Sequence, residues 1–119
     1  MKKLIVTASL ILAMLAPAAA QDIGGKYTVE GSNLDGSAYN GTAEVTLTSD
    51  TTCVIKWETG GTTSEGICAR NDDAFAAAHI TTGEVGLIIY KVGEDGSMDG
   101  LWTVAGKEGN GAEKLTPAE

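Results

Sequence analysis

Past residue 25 the chain alternates short stretches rich in Val, Ile, Thr and Tyr with clusters of Gly, Asp and Asn, repeating roughly every 8 to 12 residues. No stretch keeps helical spacing for longer than about two turns. The pattern predicts strands near 26–31, 38–48, 52–59, 62–70, 74–81, 85–92, 97–105 and 110–116. Turn signals separate them at Asp35-Gly36, Gly60-Gly61, Asn71-Asp72-Asp73, Thr82-Gly83, Asp95-Gly96 and Gly106 to Gly109. Only Phe75 to His79, with its alanines, fits a short helix equally well.

Side chains alternate across a strand, so the pattern also assigns faces. Tyr39, Gly41, Ala43, Val45 and Leu47 share one side of the second strand, opposite Asn40, Thr42, Glu44, Thr46 and Thr48. The seventh strand puts Gly100, Trp102 and Val104 together. Eight short strands with tight connections predict an all-β fold, an up-and-down barrel without open edges, with a two-sheet sandwich as the alternative. Tyr39, Trp57, Trp102, Val45, Ile55 and Leu115 are expected to face one common core, and inward Gly41, Gly66 and Gly100 suit the sharp bends of a small barrel. Asp35-Gly36-Ser37 and Asp95-Gly96-Ser97 each feed a strand with inward glycine and aromatic positions. Either hairpins of similar geometry recruit similar residues, or a half-barrel has been duplicated.

The start of the chain changes the picture. Met1-Lys2-Lys3, the apolar run Leu4 to Leu15 and the small residues Ala18-Ala19-Ala20 read as a cleaved signal peptide over 1–20, leaving a single β domain over 21–119. An apolar run of about a dozen residues is too short to span a bilayer, and no cysteine follows the cleavage site to carry a lipid. Losing Lys2 and Lys3 takes the formal charge from −8 to −10, which argues against nucleic acid or an anionic membrane as partner. The expected location is periplasmic or extracellular, where disulfides persist.

Cys53 and Cys68 are equidistant from Gly60-Gly61, so a hairpin turning there sets them directly opposite one another. The same register sets Ile55 against Gly66 and Trp57 against Ser64, with the opposite charges of Lys56 and Glu65 facing each other on the other side. A disulfide is expected, contributing about 3 kcal/mol by the chain-entropy argument. A four-residue loop, Thr59 to Thr62, would make the cysteines a non-hydrogen-bonded pair, where side chains lie closer.

Candidates for chemistry are few. His79 is the only histidine and reads as a strand-end or loop residue. Asn33-Leu34-Asp35-Gly36-Ser37 lacks the opening acid and closing glutamate of a calcium loop and reads as a hairpin turn. Glu113 shares a face with Gly111 and Leu115. Either its carboxylate points inward to a donor such as Tyr27, Tyr90 or Trp102, or the strand shifts by one residue, with Ala112 inward and Glu113 paired to a surface lysine.

Tyr27, Val29, Gly31, Asn33, Asp35-Gly36-Ser37, Tyr39 and Gly41, followed by Val85-Gly86, Tyr90, Asp95-Gly96-Ser97, Gly100, Trp102 and Glu113 to Pro117, resemble a group of small exported bacterial proteins, some labelled fibronectin-binding. More distantly, Gly100-Leu101-Trp102 in an eight-strand meander is similar to the lipocalin and avidin style of barrel, whose members bind small ligands. This chain departs from lipocalins in carrying Gly-x-Trp in the seventh strand rather than the first, and its six aromatics leave less material for a roomy cavity. The expected function is an exported binding module without catalytic activity, recognising a protein or peptide of neutral or basic surface. The alternatives are a small apolar ligand carrier and a structural envelope-associated protein. Tyr27, Tyr39, Trp57, Tyr90, Trp102 and Glu113 form the possible ligand or core cluster. No metal or organic cofactor is expected, and the interior is expected to be closed, with no pocket near the roughly 300 Å³ lower end of usual ligand sites.

Overall fold

A computed structural model describes residues 22–81 and 83–118; the segment read as a signal peptide lies outside the described residues. Eight strands, β1 (Gly25–Ser32), β2 (Ala38–Leu47), β3 (Thr52–Thr59), β4 (Thr62–Asn71), β5 (Ala74–Thr81), β6 (Glu84–Val92), β7 (Met98–Val104) and β8 (Gly111–Pro117), follow the predicted segments to within a residue at each end. Phe75 to His79 is strand, not helix. Each strand pairs antiparallel with the next, and β8 pairs with β1 from Ser32↔Ala112 to Tyr27↔Pro117, closing the barrel. Closure leaves no unpaired edge, the usual hazard of a small β protein. Among the described residues no helix is long and apolar enough to cross a membrane.

The hydrophobic alternation fills the interior as the faces predicted. Val45, Ile55, Trp57 and Leu115 are buried, while Tyr39 and Trp102 are half-buried and pack against the same cluster. Ile23 plugs the end where the chain enters β1, and its carbonyl accepts the Tyr27 hydroxyl at 2.6 Å. Above it, Phe75 stacks on its cross-strand partner Tyr90 with ring centroids 5.4 Å apart. The outer wall is mixed. Over β1 to β3 it presents Lys26, Glu30, Glu44 and Lys56 beside Leu47 and Val54, and over β4 to β7 it exposes Ile67, Ile80, Leu87, Ile89 and Leu101 among Glu65, Lys91 and Asp99.

Cys53 and Cys68 are bonded across β3 and β4, their Cα atoms 5.0 Å apart. The turn differs from expectation. Thr59 pairs with Thr62, so the loop is the two residues Gly60 and Gly61, with φ of 57° and 82°. Positive φ at both positions is what a tight hairpin needs to match strand twist, and two adjacent glycines adopt it without steric cost. Alternation from Thr59–Thr62 then places the cysteines at a hydrogen-bonded site rather than a non-hydrogen-bonded one. Lys56 does stand opposite Glu65, but its Nζ pairs with Glu58 on its own strand at 3.5 Å. Both groups are exposed, so the choice between neighbouring carboxylates carries little energy.

The two Asp-Gly-Ser segments form the same turn. Asp35 Oδ1 accepts from the Ser37 amide at 2.9 Å and hydroxyl at 2.7 Å, and Asp95 accepts the same pair from Ser97. These hydrogen bonds, the side-chain ones first, hold both carboxyls below their ordinary range. The carboxylates are thus spent inside their turns, as a hairpin reading of Asn33 to Ser37 requires. The first turn joins β1 to β2 and the second β6 to β7, at opposite ends of the barrel. Duplication of a four-strand half would instead carry the first onto the turn between β5 and β6. Shared turn chemistry, not a duplicated half-barrel, accounts for the echo.

Candidate functional site

Glu113 faces inward and is 5% exposed, while Ala112 is exposed, so the unshifted register holds. Alternation along β8 puts the carboxylate in the interior with Gly111 and Leu115. Closure then brings donors from three other strands onto it. Tyr39 of β2 donates to Oε1 at 2.6 Å. Tyr90 of β6 donates to Oε2 at 2.5 Å, and the Trp57 indole of β3 donates to the same oxygen at 3.1 Å. Trp57 Nε1 also reaches the Tyr90 hydroxyl at 3.3 Å. Hydrogen bonds to a charged acceptor are each worth about 1.5–3 kcal/mol, which offsets much of the cost of burying a carboxylate.

Two of the expected donors play no part. The Tyr27 hydroxyl is engaged with Ile23 at the far end of the barrel, so Tyr27 belongs to the buried core but not to the group around Glu113. The Trp102 indole nitrogen is buried against Gly111 beside Tyr39 and does not reach Glu113, and Nδ1 of His79 is buried too. His79 is the residue that sequence reasoning missed. It lies within β5, its ring 5.8 Å from Trp57 in an edge-on arrangement, and it lines the interior.

Four cross-strand pairs explain why these rings sit where they do. Tyr39 lies opposite Gly31, His79 opposite Gly86, Tyr90 opposite Gly100 and Trp102 opposite Gly111. In each pair a Cβ on the glycine would overlap the partner's ring. Each ring therefore lies flat across a bare stretch of the neighbouring strand, which fixes its direction and keeps the barrel narrow. The signal was present in the sequence as inward glycines, but pairing each with its ring requires the register.

Above Glu113 the barrel is open. A cavity of about 320 Å³ is lined by Tyr39, Trp57, Ser64, His79, Trp102 and Glu113, at the end bearing the turn between β3 and β4. The interior is thus not closed as expected. Rings that lean onto glycines do not meet at the barrel axis, and Tyr39 and Trp102 stand edge to face with centroids 6.3 Å apart. A larger depression of about 920 Å³ lies on the outer wall, between Lys91, Asp99, Ile89 and Leu101. It is shallow and open, whereas the smaller interior cavity is bordered by three aromatic rings and the Glu113 carboxylate, which makes the interior the stronger site. Among the described residues no group of three His, Cys, Asp or Glu side chains could hold a metal ion.

The two phenols on Glu113 are held protonated. Burial first, then the Glu113 charge and hydrogen bond, push Tyr90 well above the ordinary phenol range; Tyr39 is raised by burial and then by its bond to Glu113. A phenol raised in the folded state keeps its proton where the unfolded chain has lost it. Its stabilising contribution is therefore complete below about pH 10 and is lost as pH rises beyond that. Unfolding free energy should fall above about pH 10, with Tyr90 adding a slope of up to about 1.4 kcal/mol per pH unit. Phenolate absorbance of Tyr39 and Tyr90 should appear together with loss of structure; titration of both near pH 10 in the folded protein would refute this.

No protein-family model matches the chain, and no curated protein sequence does. Solved structures do. A de novo designed fluorescence-activating β-barrel superposes with a TM-score of 0.63 at 19% identity, covering 84% of this chain and 97% of its own. A redesigned β-barrel gives 0.64 at 16% identity, covering 82% and 92%. Another redesigned barrel, solved with DFHBI bound, gives 0.62 at 16% identity, covering 79% and 94%. At such identities the likeness is one of fold: the chain is a closed, eight-stranded, antiparallel up-and-down β-barrel.

Proposed function

We propose that this protein is an exported binding module, without catalytic activity, that takes a small molecule into the open end of its barrel. One observation carries the reading: a cavity of about 320 Å³ opens at one end of the barrel, bordered by Tyr39, Trp57, His79 and Trp102 and by the otherwise buried Glu113. The ligand carrier expected as the alternative is favoured in modified form, since the walls are aromatic and polar rather than apolar. The non-catalytic reading draws on Glu113, whose oxygens are both engaged by neutral donors. The disulfide and the acidic charge support export to an oxidising compartment.

Native mass spectrometry of the mature protein, isolated from its own host, tests the proposal. A small-molecule adduct is expected, and it should be absent from a Ser64→Phe variant whose side chain fills the cavity mouth. Trp57 and Trp102, the only tryptophans, both line the cavity, so indole emission should shift on loading. An adduct-free protein whose emission ignores the host's small-molecule pool would refute the reading. A second reading, recognition of a protein or peptide partner, is favoured by the exposed aliphatic face of Ile67, Ile80, Leu87, Ile89 and Leu101.

A further inference from the structure

We infer that the cavity is built for a small organic cation, an alkylammonium or quaternary ammonium compound. The inference rests on the ligand-binding reading and names the class of ligand.

Charge is the first argument. The charged residues lining the cavity are Glu113 and Glu84. Glu84 is answered at the rim by Lys107 at 3.2 Å, but the three groups bonded to Glu113 are all neutral. A buried carboxylate without a counter-charge leaves a negative potential in the space it faces, and low surrounding polarity strengthens it. The formal charge of −8 for the whole chain adds to the same field.

The walls are the second argument. Tyr39, Trp57 and Trp102 border one space, each presenting electron-rich ring surface, and a cation above such faces gains about 0.5–2 kcal/mol per ring depending on desolvation. Free valences supply the third. A carboxylate offers about four acceptor sites. Glu113 uses three, and Oε1 accepts from Tyr39 alone, leaving it one site for a ligand ammonium. An inorganic ion would gain only one carboxylate here, and an anion would face Glu113 with no lysine or arginine lining the cavity to receive it.

The test compares choline with 3,3-dimethyl-1-butanol, its neutral isostere, by tryptophan emission and calorimetry on the mature protein, with tetramethylammonium and guanidinium as further cations. Choline is expected to bind at least about ten-fold more tightly than the isostere, as expected if ion pairing and ring contacts both contribute. Glu113→Gln should erase the preference over the isostere. Equal binding of isostere and choline would overturn the cation assignment while leaving the cavity a ligand site. So would silence of every cation at about 10 mM combined with a neutral adduct in the native mass spectrum. Silence of every probe together with an adduct-free spectrum would overturn the ligand-binding reading itself.

Discussion

Glu113→Ala is expected to destabilise the barrel by about 3 kcal/mol, read from the urea midpoint at unchanged slope. The substitution strands two donors, the hydroxyls of Tyr39 and Tyr90, each of which costs about 1–3 kcal/mol when left unsatisfied, and leaves the Trp57 indole only its longer bond to Tyr90. Relief of the buried charge and entry of water through the open cavity offset part of that sum. Glu113→Gln should cost less, about 1–2 kcal/mol, because the amide keeps one acceptor but turns a donor toward the other hydroxyl. A loss below about 0.5 kcal/mol for the alanine variant would show that the carboxylate does not organise this end of the barrel.

Gly66→Ala is expected to be at least as damaging, at about 3 kcal/mol or more, although it adds one methyl group. Gly66 lies between Ile55 of β3 and His79 of β5, where β4 bends. A Cβ there would collide with the main-chain carbonyl oxygen of Ala78. A side chain in the way could rotate; a carbonyl held in a ladder moves only with its strand. Gly60→Ala is the control. Gly60 has open space around it but a φ of 57°, so alanine should cost only about 1–2 kcal/mol of left-handed strain. Thermal unfolding of the two variants side by side would decide the matter. Equal losses would mean that the strands have room to separate at Gly66.

Much of the molecule was legible because period-two alternation and turn chemistry are local. Alternation placed Val45, Ile55, Trp57 and Leu115 inward, and Asp-Gly and Gly-Gly punctuation set the strand boundaries. Hairpin symmetry about Gly60-Gly61 paired Cys53 with Cys68, since a register follows from any fixed turn centre. The length of that turn was not legible, because Thr59 and Thr62 read equally well as loop or as the last rung.

What the sequence by itself determined is thus the strands, their inner faces and the disulfide. The tertiary structure decided which inner residues meet. Tyr39, Trp57, Tyr90 and Glu113 belong to four different strands, and their convergence depends on β8 closing against β1 at Gly31↔Glu113. Tyr27 shares the inner face yet sits at the other end, since neighbours along a strand are separated by its rise while neighbours across the barrel are brought together by its stagger. The cavity is likewise a property of closure. Glycines opposite Tyr39, His79, Tyr90 and Trp102 let the rings fold onto the wall, so the axis at that end stays open. No local pattern records that space, because it is set by how wide eight strands close and how far side chains from opposite walls can reach.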